Sequence, residues 1–193
     1  MTQSDPVATF LSERGAAAAT NDPMAALCNV ATLAADGSAE ARTLVLREVR
    51  GQPALFVNGT SFKWAQLQQT AFITTYWPST KLQYRIRAHS SEIPAAEIAE
   101  SWALRPDAPK RMDWFYQEVA TQSSPIDSRA QLLTQLESMA LEEPLGAPTE
   151  ARGILLQPFQ IERLDLTQAN GVHDRVMHTL TTEAVWRTQT LVP

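Results

Sequence analysis

Hydrophobic and polar residues alternate along much of the first half of the chain, a pattern typical of half-buried β-strands. The dipeptide Asp36-Gly37 falls between two such segments and is a hairpin turn signal. A short helix is expected over Phe62–Gln69. The predicted strands are Leu27–Leu33, Glu40–Val49, Ala54–Asn58, Ala71–Trp77 and Leu82–His89. Five closely connected strands favour a β-barrel or a β-sandwich.

The middle of the chain has a different period, because its apolar residues recur at helical spacing. The predicted helices are Pro94–Leu104, Pro109–Gln117 and Asp127–Leu141. After a linker at Pro144–Pro148, strands are predicted again over Gly153–Leu156, Phe159–Leu166 and Val176–Leu180. The expected organisation is a leader over residues 1–22 and one domain over residues 23–193, with a helical insertion at about residues 92–143.

Composition narrows the class of protein. The 193 residues suffice for one compact domain with a hydrophobic core. A formal net charge of −5 argues against a nucleic-acid-binding protein. No apolar run approaches the roughly 20 residues that span a bilayer, and the amino end lacks a secretory pattern, so a cytoplasmic location is expected. The only cysteine, Cys28, lies in an apolar run and is expected to be buried rather than nucleophilic.

Two segments of the first half carry basic residues in positions that suit an anion. Arg42 and Arg47 are five residues apart, so their side chains face opposite sides of a regular strand. An arginine that faces a barrel interior needs an anion. The segment Thr60–Lys63 offers a hydroxyl, backbone N–H groups and an ammonium at a helix start, where a phosphate binds favourably. Taken singly, a solvated strand arginine and an ordinary helix cap explain these residues as well.

Two later segments also concentrate polar groups. On the fifth predicted strand, Gln83, Arg85 and Arg87 share one face, opposite a face of apolar residues. The segment Asn170–Arg175 contains an imidazole, a carboxylate and a guanidinium, which suit an anionic or heteroaromatic ligand. A turn with a surface ion pair explains the same residues.

Metal and serine-hydrolase chemistry are less well supported by the sequence. Only His173 and His178 have a ligand-like spacing, and His89 is distant in sequence. Neither a Gly-x-Ser-x-Gly elbow nor a Gly-rich phosphate loop occurs. A bound phosphate would therefore be held by side chains.

In order and spacing, these segments resemble the pyridoxamine 5′-phosphate oxidase family of FMN-binding split barrels, from about Pro23 to Arg175. Arg42-Thr43-Leu44-Val45-Leu46-Arg47 is similar to the family's Arg-x-Val-Leu-Leu-Lys strand, and Ser61-Phe62-Lys63 is similar to its Ser-Arg-Lys turn. The other similar segments are Leu82-Gln83-Tyr84-Arg85-Ile86, Arg105-Pro106, Gln122-Ser123, Ile161-Glu162 and His173-Asp174-Arg175.

The resemblance implies an α+β, mainly β fold, an antiparallel split β-barrel with peripheral helices. It also implies a homodimer with FMN at the subunit interface. It assigns the FMN phosphate to Arg42, Ser61 and Lys63, and the pair Gln122 and Ser123 completes this site from the second subunit. The remaining residues that it assigns to the cofactor site are Gln83 and Arg175 at the ring system and the strand residues Thr43, Leu44, Val45 and Arg47.

The implied activity is that of an FMN-dependent oxidoreductase, in which hydride passes between N5 of FMN and a small substrate. Arg47, Arg105 and His173 would orient this substrate, and His173 would exchange the proton as the catalytic residue. Pro109 stands where the family has a phosphate-binding serine, and Leu164 where it has a flavin-contacting tryptophan. Weak oxidation of pyridoxamine phosphate is therefore expected. The alternatives are a non-catalytic flavin-binding protein and a split barrel that has lost FMN and binds another ligand.

Overall fold

The computed structural model of the protein describes residues 5–68, 70–141 and 143–193. These residues contain eight β-strands, five α-helices and a 3₁₀ turn at Pro23–Ala26. The strands are β1 Leu27–Leu33, β2 Ala39–Val49, β3 Gln52–Asn58, β4 Thr70–Trp77, β5 Leu82–Glu92, β6 Ala151–Asp165, β7 Asp174–Leu180 and β8 Trp186–Leu191. The helices are α1 Pro6–Ala19, α2 Phe62–Leu67, α3 Ala95–Ala103, α4 Asp107–Glu118 and α5 Arg129–Ser138.

The strands form one sheet in the order β3-β2-β1-β4-β5-β6-β7-β8, and β3 also pairs with β6. This second pairing closes six strands into an antiparallel barrel and leaves β7 and β8 as an extension beyond β6. Closure satisfies the backbone groups that the two edges of the six-stranded sheet would otherwise expose. The predicted fold class, an antiparallel split β-barrel with helices around it, is confirmed.

The contacts between residues divide the chain into two compact units. Unit 1 takes in the residues up to Leu55, together with Gln66–Ser91 and Leu155–Pro193. Unit 2 takes in Phe56–Ala65 and Glu92–Ile154. Helices α3, α4 and α5 all belong to unit 2, within the range predicted as a helical insertion.

An aromatic cluster forms the centre of unit 1. The ring of Phe10, on α1, is fully buried and lies 5.7 Å from the ring of Trp77 and 4.9 Å from that of Tyr84. Helix α1 begins where the side chain of Asp5 accepts a hydrogen bond from the backbone N–H of Val7. The leader predicted for residues 1–22 therefore contains a helix that contributes to the core, while its residues 1–4 lie outside the described residues.

Burial alternates along the barrel strands as the hydrophobic pattern predicts. On β5, Leu82, Tyr84 and Ile86 are buried, whereas the intervening residues are half-buried or exposed. On β1, Cys28 is buried beside Val30, and burial raises the pKa of Cys28 to about 12. The prediction that this cysteine fills the core is confirmed, because such a thiol stays protonated at neutral pH.

Besides helix α1 in the predicted leader, the structure differs from the predicted elements in three places. Strand β6 is continuous through Pro158, where two shorter strands were predicted because proline usually interrupts a strand. Strand β8 was not predicted, since most of its residues are exposed and it lacks an apolar face. Helix α2 ends at Leu67, and Gln69, the predicted end, lies outside the described residues.

Candidate functional site

In unit 1, Arg42 lies at the centre of a hydrogen-bonded cluster. In the antiparallel pairing of β1 with β2, Arg42 is opposite Val30 and Glu40 is opposite Thr32. Atom Nη2 of Arg42 donates to Glu40 Oε2 at 2.7 Å and to Gln66 Oε1 at 2.9 Å, while Nη1 donates to the hydroxyl of Thr32. The guanidinium is therefore held in one position by neighbours on both β2 and α2.

The carboxylate of Glu40 supplies the anion that an inward-facing arginine requires. Besides its bond to Arg42, Glu40 Oε2 accepts a hydrogen bond from Gln66 Nε2 at 3.1 Å. The Glu40 side chain is 47% exposed and that of Arg42 is 21% exposed, so the pair lies at the edge of the interior rather than in it. An exogenous anion at Arg42 would take the place that Glu40 now occupies.

In unit 2, Lys63 joins the start of α2 to the loop after α4. Its Nζ donates to Ser61 Oγ at 2.9 Å and to Gln122 Oε1 at 3.0 Å. The backbone N–H of Gln122 donates to Thr60 Oγ1 at 3.1 Å, and Thr60 is held in turn by the side chain of Asn58. Ser61 is only 7% exposed. We call Ser61, Lys63 and Gln122 the lysine cluster.

Gln122 contacts Lys63 of its own chain. The bond from Gln122 to Thr60 holds the loop after α4 against the segment before α2. The expectation that Gln122 and Ser123 complete the phosphate site from a second subunit stays a prediction. Ser123 follows as an exposed residue with a φ of 72°, a conformation that residues other than glycine rarely adopt.

Arg175 and Gln83, predicted to contact a flavin ring, lie on β7 and β5 in unit 1. Arg175 donates through Nε to Glu162 Oε1 at 3.1 Å, across the pairing of β6 with β7. Arg85 lies two residues after Gln83 on β5. Its Nη1 is 3.4 Å from Glu162 Oε1. Arg175 is therefore part of a three-membered ion cluster, and the half-buried Gln83 pairs with Tyr76 of β4.

The other β2 residues assigned to the cofactor lie beside Arg42 along the strand. Thr43 donates its hydroxyl hydrogen to Asn29 Oδ1 at 2.8 Å. Leu44 is half-buried, Val45 is 45% exposed and Arg47 is exposed. As predicted for residues five apart on a strand, Arg42 and Arg47 face opposite sides of β2.

Two of the predicted substrate residues differ sharply in their surroundings. His173 is exposed in the turn before β7. Arg105 follows α3 in unit 2, and its Nη1 donates to Asp113 Oδ2, which also accepts a hydrogen bond of 2.8 Å from Trp102 Nε1. Burial raises the pKa of Asp113, and the charge of Arg105 opposes that rise.

Sequence reasoning missed the residues that hold the predicted ones in place, namely Thr32, Glu40, Gln66 and Asp113. Glu40 carried a usable signal, since it lies two residues from Arg42 and so shares its face of the strand. Gln66 and Asp113 carried none, because only the fold determines what a helix side chain contacts.

Within the described residues, no three or more His, Cys, Asp or Glu side chains are grouped so that they could hold a metal ion. None of the helices in these residues combines the length and the apolar character that crossing a bilayer requires.

Comparison with known proteins supports the fold and the resemblance to the pyridoxamine 5′-phosphate oxidases. No protein-family model matches the chain. It is 27% identical over 195 residues to the pyridoxine/pyridoxamine 5′-phosphate oxidase of Chromobacterium violaceum, covering 98% of this chain and 89% of that one. It is 29% identical over 199 residues to the enzyme of the same name from Janthinobacterium sp. strain Marseille, covering 100% and 91%.

Two solved structures share the fold over the whole chain. PhzG from Burkholderia lata 383, solved in complex with tetrahydrophenazine-1-carboxylic acid, has a TM-score of 0.84 at 20% identity, with 100% of this chain and 94% of that one covered. A pyridoxamine 5′-phosphate oxidase-related, FMN-binding protein from Nostoc punctiforme PCC 73102 has a TM-score of 0.80 at 18% identity, with both chains fully covered.

The closed barrel with its extension of two strands defines a protein of the split-barrel class. Within that class, the chain resembles the pyridoxamine 5′-phosphate oxidase-like proteins. The resemblance predicted from the sequence motifs is confirmed.

Proposed function

We propose that this protein binds FMN and acts as an FMN-dependent oxidoreductase on a small planar substrate. The observation that carries the proposal is the lysine cluster, in which an ammonium, a hydroxyl and an amide are already joined by hydrogen bonds of 2.9 and 3.0 Å. These are the donor types that a phosphate dianion prefers. Preassembly also lowers the entropy cost of binding.

The donor set of the chain fits the phosphate end of FMN. Arg42 donates to the oxygens of Thr32 and Gln66, and Lys63 donates to those of Ser61 and Gln122, so each cation lies beside hydroxyl and amide groups that can also donate to a phosphate. The carboxylate of Glu40 also contacts Arg42, and it repels a phosphate there. When bound, FMN supplies reversible two-electron redox chemistry at N5 of its ring.

The family resemblance assigns the roles of the chain's own residues. By that resemblance, Arg42 and Lys63 would hold the phosphate, and Gln83 would offer an amide to the ring. Arg175 is kept in its orientation by Glu162. His173, which is exposed, is assigned to proton exchange with the substrate because an imidazole can both accept and donate a proton.

The outer face of the barrel supports a homodimer, which belongs to the same proposal. Val45 is 45% exposed and Tyr76 is 40% exposed. Val45 pairs with Leu27 of β1, and continuation of the β1–β4 register places Tyr76 on the other side of Leu27. Three apolar side chains thus form a row across adjacent strands, as is typical of subunit interfaces.

Sedimentation of the FMN-treated protein, recorded at the visible absorption band of flavin, tests cofactor and dimer together. We expect the flavin to sediment with a species of twice the mass of the chain, at one FMN per chain. Flavin that stays at the meniscus at micromolar protein would refute the proposal of FMN binding. Flavin that sediments with a single chain would refute only the dimer.

Replacement of the competing carboxylate is expected to improve cofactor binding. In Glu40→Gln, the side chain keeps an oxygen for Arg42 but loses the charge that repels phosphate. We expect FMN to bind about two- to fivefold more tightly, the range for a partly exposed ion pair. Glu48→Gln, an exposed glutamate of the same strand, is the matched control and should leave the dissociation constant unchanged.

A further inference from the structure

Unit 2 contains a cavity of about 600 Å³ that is separate from the residues assigned to the cofactor and the substrate. Its walls come from α2, the end of β5, the start of α3 and residues 147–153. Ser61, Lys63, Gln122 and Arg105 are not among the described residues that line it. Cavities that bind small molecules usually measure about 300–1,000 Å³, so this one has the size of a ligand site.

Most of the cavity wall is aliphatic. Ile93 and Ile98 are 3% and 7% exposed, and Pro148 is also buried. The backbone N–H of Ile93 donates to the oxygen of Gly153 at 2.9 Å, which joins two sides of the wall. Such walls favour an alkyl chain, because its burial removes apolar surface from water.

The cavity wall also carries a cation. Among the described lining residues, Arg152 has the only positive charge and Glu92 the only negative charge. Arg152 Cζ lies 6.0 Å from the centroid of the Trp64 ring, in a cation–π contact. Arg152 is half-buried, whereas Glu92 is exposed, so water and salt screen the glutamate more strongly. The guanidinium is therefore the main determinant of the charge that a ligand carries.

The backbone of Gly59 holds the side chain of Arg152 in place. A Cβ at Gly59 would be 3.1 Å from Arg152 Cγ, 3.2 Å from Arg152 Nε and 2.3 Å from Glu150 Oε2. The glycine thus lets both side chains pack against the main chain, where Glu150 offsets part of the positive charge. Arg152 Nε is buried without a hydrogen-bond partner, which is rare for a buried donor. Packing, rather than hydrogen bonding of this atom, fixes the guanidinium.

We propose that this cavity binds a small aliphatic monocarboxylate, with the carboxylate beside Arg152 and the alkyl chain along Ile93 and Ile98. A guanidinium binds a carboxylate through charge-assisted hydrogen bonds. A single negative charge suits the site, because Glu92 and Glu150 would repel each further charge on the ligand. The inference does not depend on FMN binding, since the described lining residues include none that is assigned to the cofactor.

The test titrates the full chain with heptanoate, with heptanol as the uncharged probe and heptylammonium as the cationic one. We expect heptanoate to bind once per chain with a dissociation constant of about 1 mM, and the other two about tenfold more weakly. The indole N–H signal of Trp64, identified in NMR spectra with Trp64→Phe, should shift on binding. FMN should leave the affinity for heptanoate unchanged. No binding of heptanoate, equal binding of heptanol or competition with FMN would overturn the inference.

Arg152→Met removes the cation and keeps an unbranched side chain. It should lower the affinity for heptanoate about tenfold, to that for heptanol. Arg187→Met is the matched control, because Arg187 is an exposed arginine of β8 outside the cavity, and it should change nothing. Wild-type affinity for heptanoate in Arg152→Met would show that the carboxylate does not bind this arginine.

A second pair of variants tests the cavity itself, even if Arg152→Met failed to fold. Ala99→Trp places a large side chain at an exposed position of α3 that lines the cavity, and it should weaken heptanoate binding at least about tenfold. Ala96→Trp, at an exposed position of the same helix that is not among the lining residues, should bind as the wild-type protein does. Equal binding by the two variants would overturn the assignment of the ligand to this cavity.

Discussion

Arg42→Ala and Lys63→Ala are each expected to weaken FMN binding by about 10- to 100-fold. Each substitution removes a charge-assisted hydrogen bond to the phosphate, and such bonds contribute about 1.5–3 kcal/mol. A factor of ten in affinity corresponds to about 1.4 kcal/mol. Quenching of FMN fluorescence during titration with each variant gives the dissociation constants.

The effect of Arg42→Ala should include a contribution from Glu40. Without Arg42, the carboxylate of Glu40 keeps its place beside Gln66 but has lost its cation, so it repels an incoming phosphate. The double variant Arg42→Ala/Glu40→Gln should recover part of the loss.

Arg87→Ala provides the control for these two substitutions. Arg87 is an exposed arginine of β5 that pairs with Phe72, and no role in the proposed site is assigned to it. If Arg42→Ala and Lys63→Ala both bind FMN as Arg87→Ala does, then the phosphate is held elsewhere and the assignment of both clusters is wrong.

Phe10→Ala is expected to reduce the free energy of unfolding by about 3–5 kcal/mol. Phe10 is fully buried and stacks against Trp77 and Tyr84, so the substitution removes contacts with two large rings and leaves a cavity. Total stabilities of domains are about 5–15 kcal/mol, so the loss is a large share. Denaturant unfolding, followed by tryptophan fluorescence, measures it.

Phe62→Ala is the matched control for that measurement, because the ring of Phe62 is 77% exposed. The change in unfolding free energy should stay within about 0.5 kcal/mol. Helix α1 is also tied to unit 1 by Arg14, which donates to the backbone oxygens of Ala25 and Leu46 at 2.7 and 2.8 Å. If Phe10→Ala were as stable as Phe62→Ala, these polar contacts rather than the aromatic cluster would anchor the helix.

Most of the strands were predictable because each has one buried face. The bounds of β1 agree with the prediction at both ends, and β2, β4 and β5 agree within a few residues. Strand β8 was not predictable, since its stability comes from pairing with β7 and its side chains are mostly exposed. The helix in the leader was missed because a run of alanines there obscures the single buried ring of Phe10.

The candidate site shows the same division between local and distant information. The contact of Ser61 with Lys63 spans two residues, and the motif predicts it. Gln122 is 59 residues from Lys63, and only the fold shows that the two residues are in contact within one chain. Likewise, only the fold shows that Arg42 forms an ion pair with Glu40 and that Arg105 forms one with Asp113.

The sequence by itself determined the strand pattern, the split-barrel class, the resemblance to the pyridoxamine 5′-phosphate oxidase-like proteins and the positions of the basic residues. Alternating burial and ordered motifs are local properties of a chain, so they can be read without coordinates. The tertiary structure alone decided which partners those basic residues have. Glu40 and Asp113 compensate the charges of Arg42 and Arg105, and the sequence does not mark them as partners. Side chains meet through packing of the fold, whatever their distance along the chain.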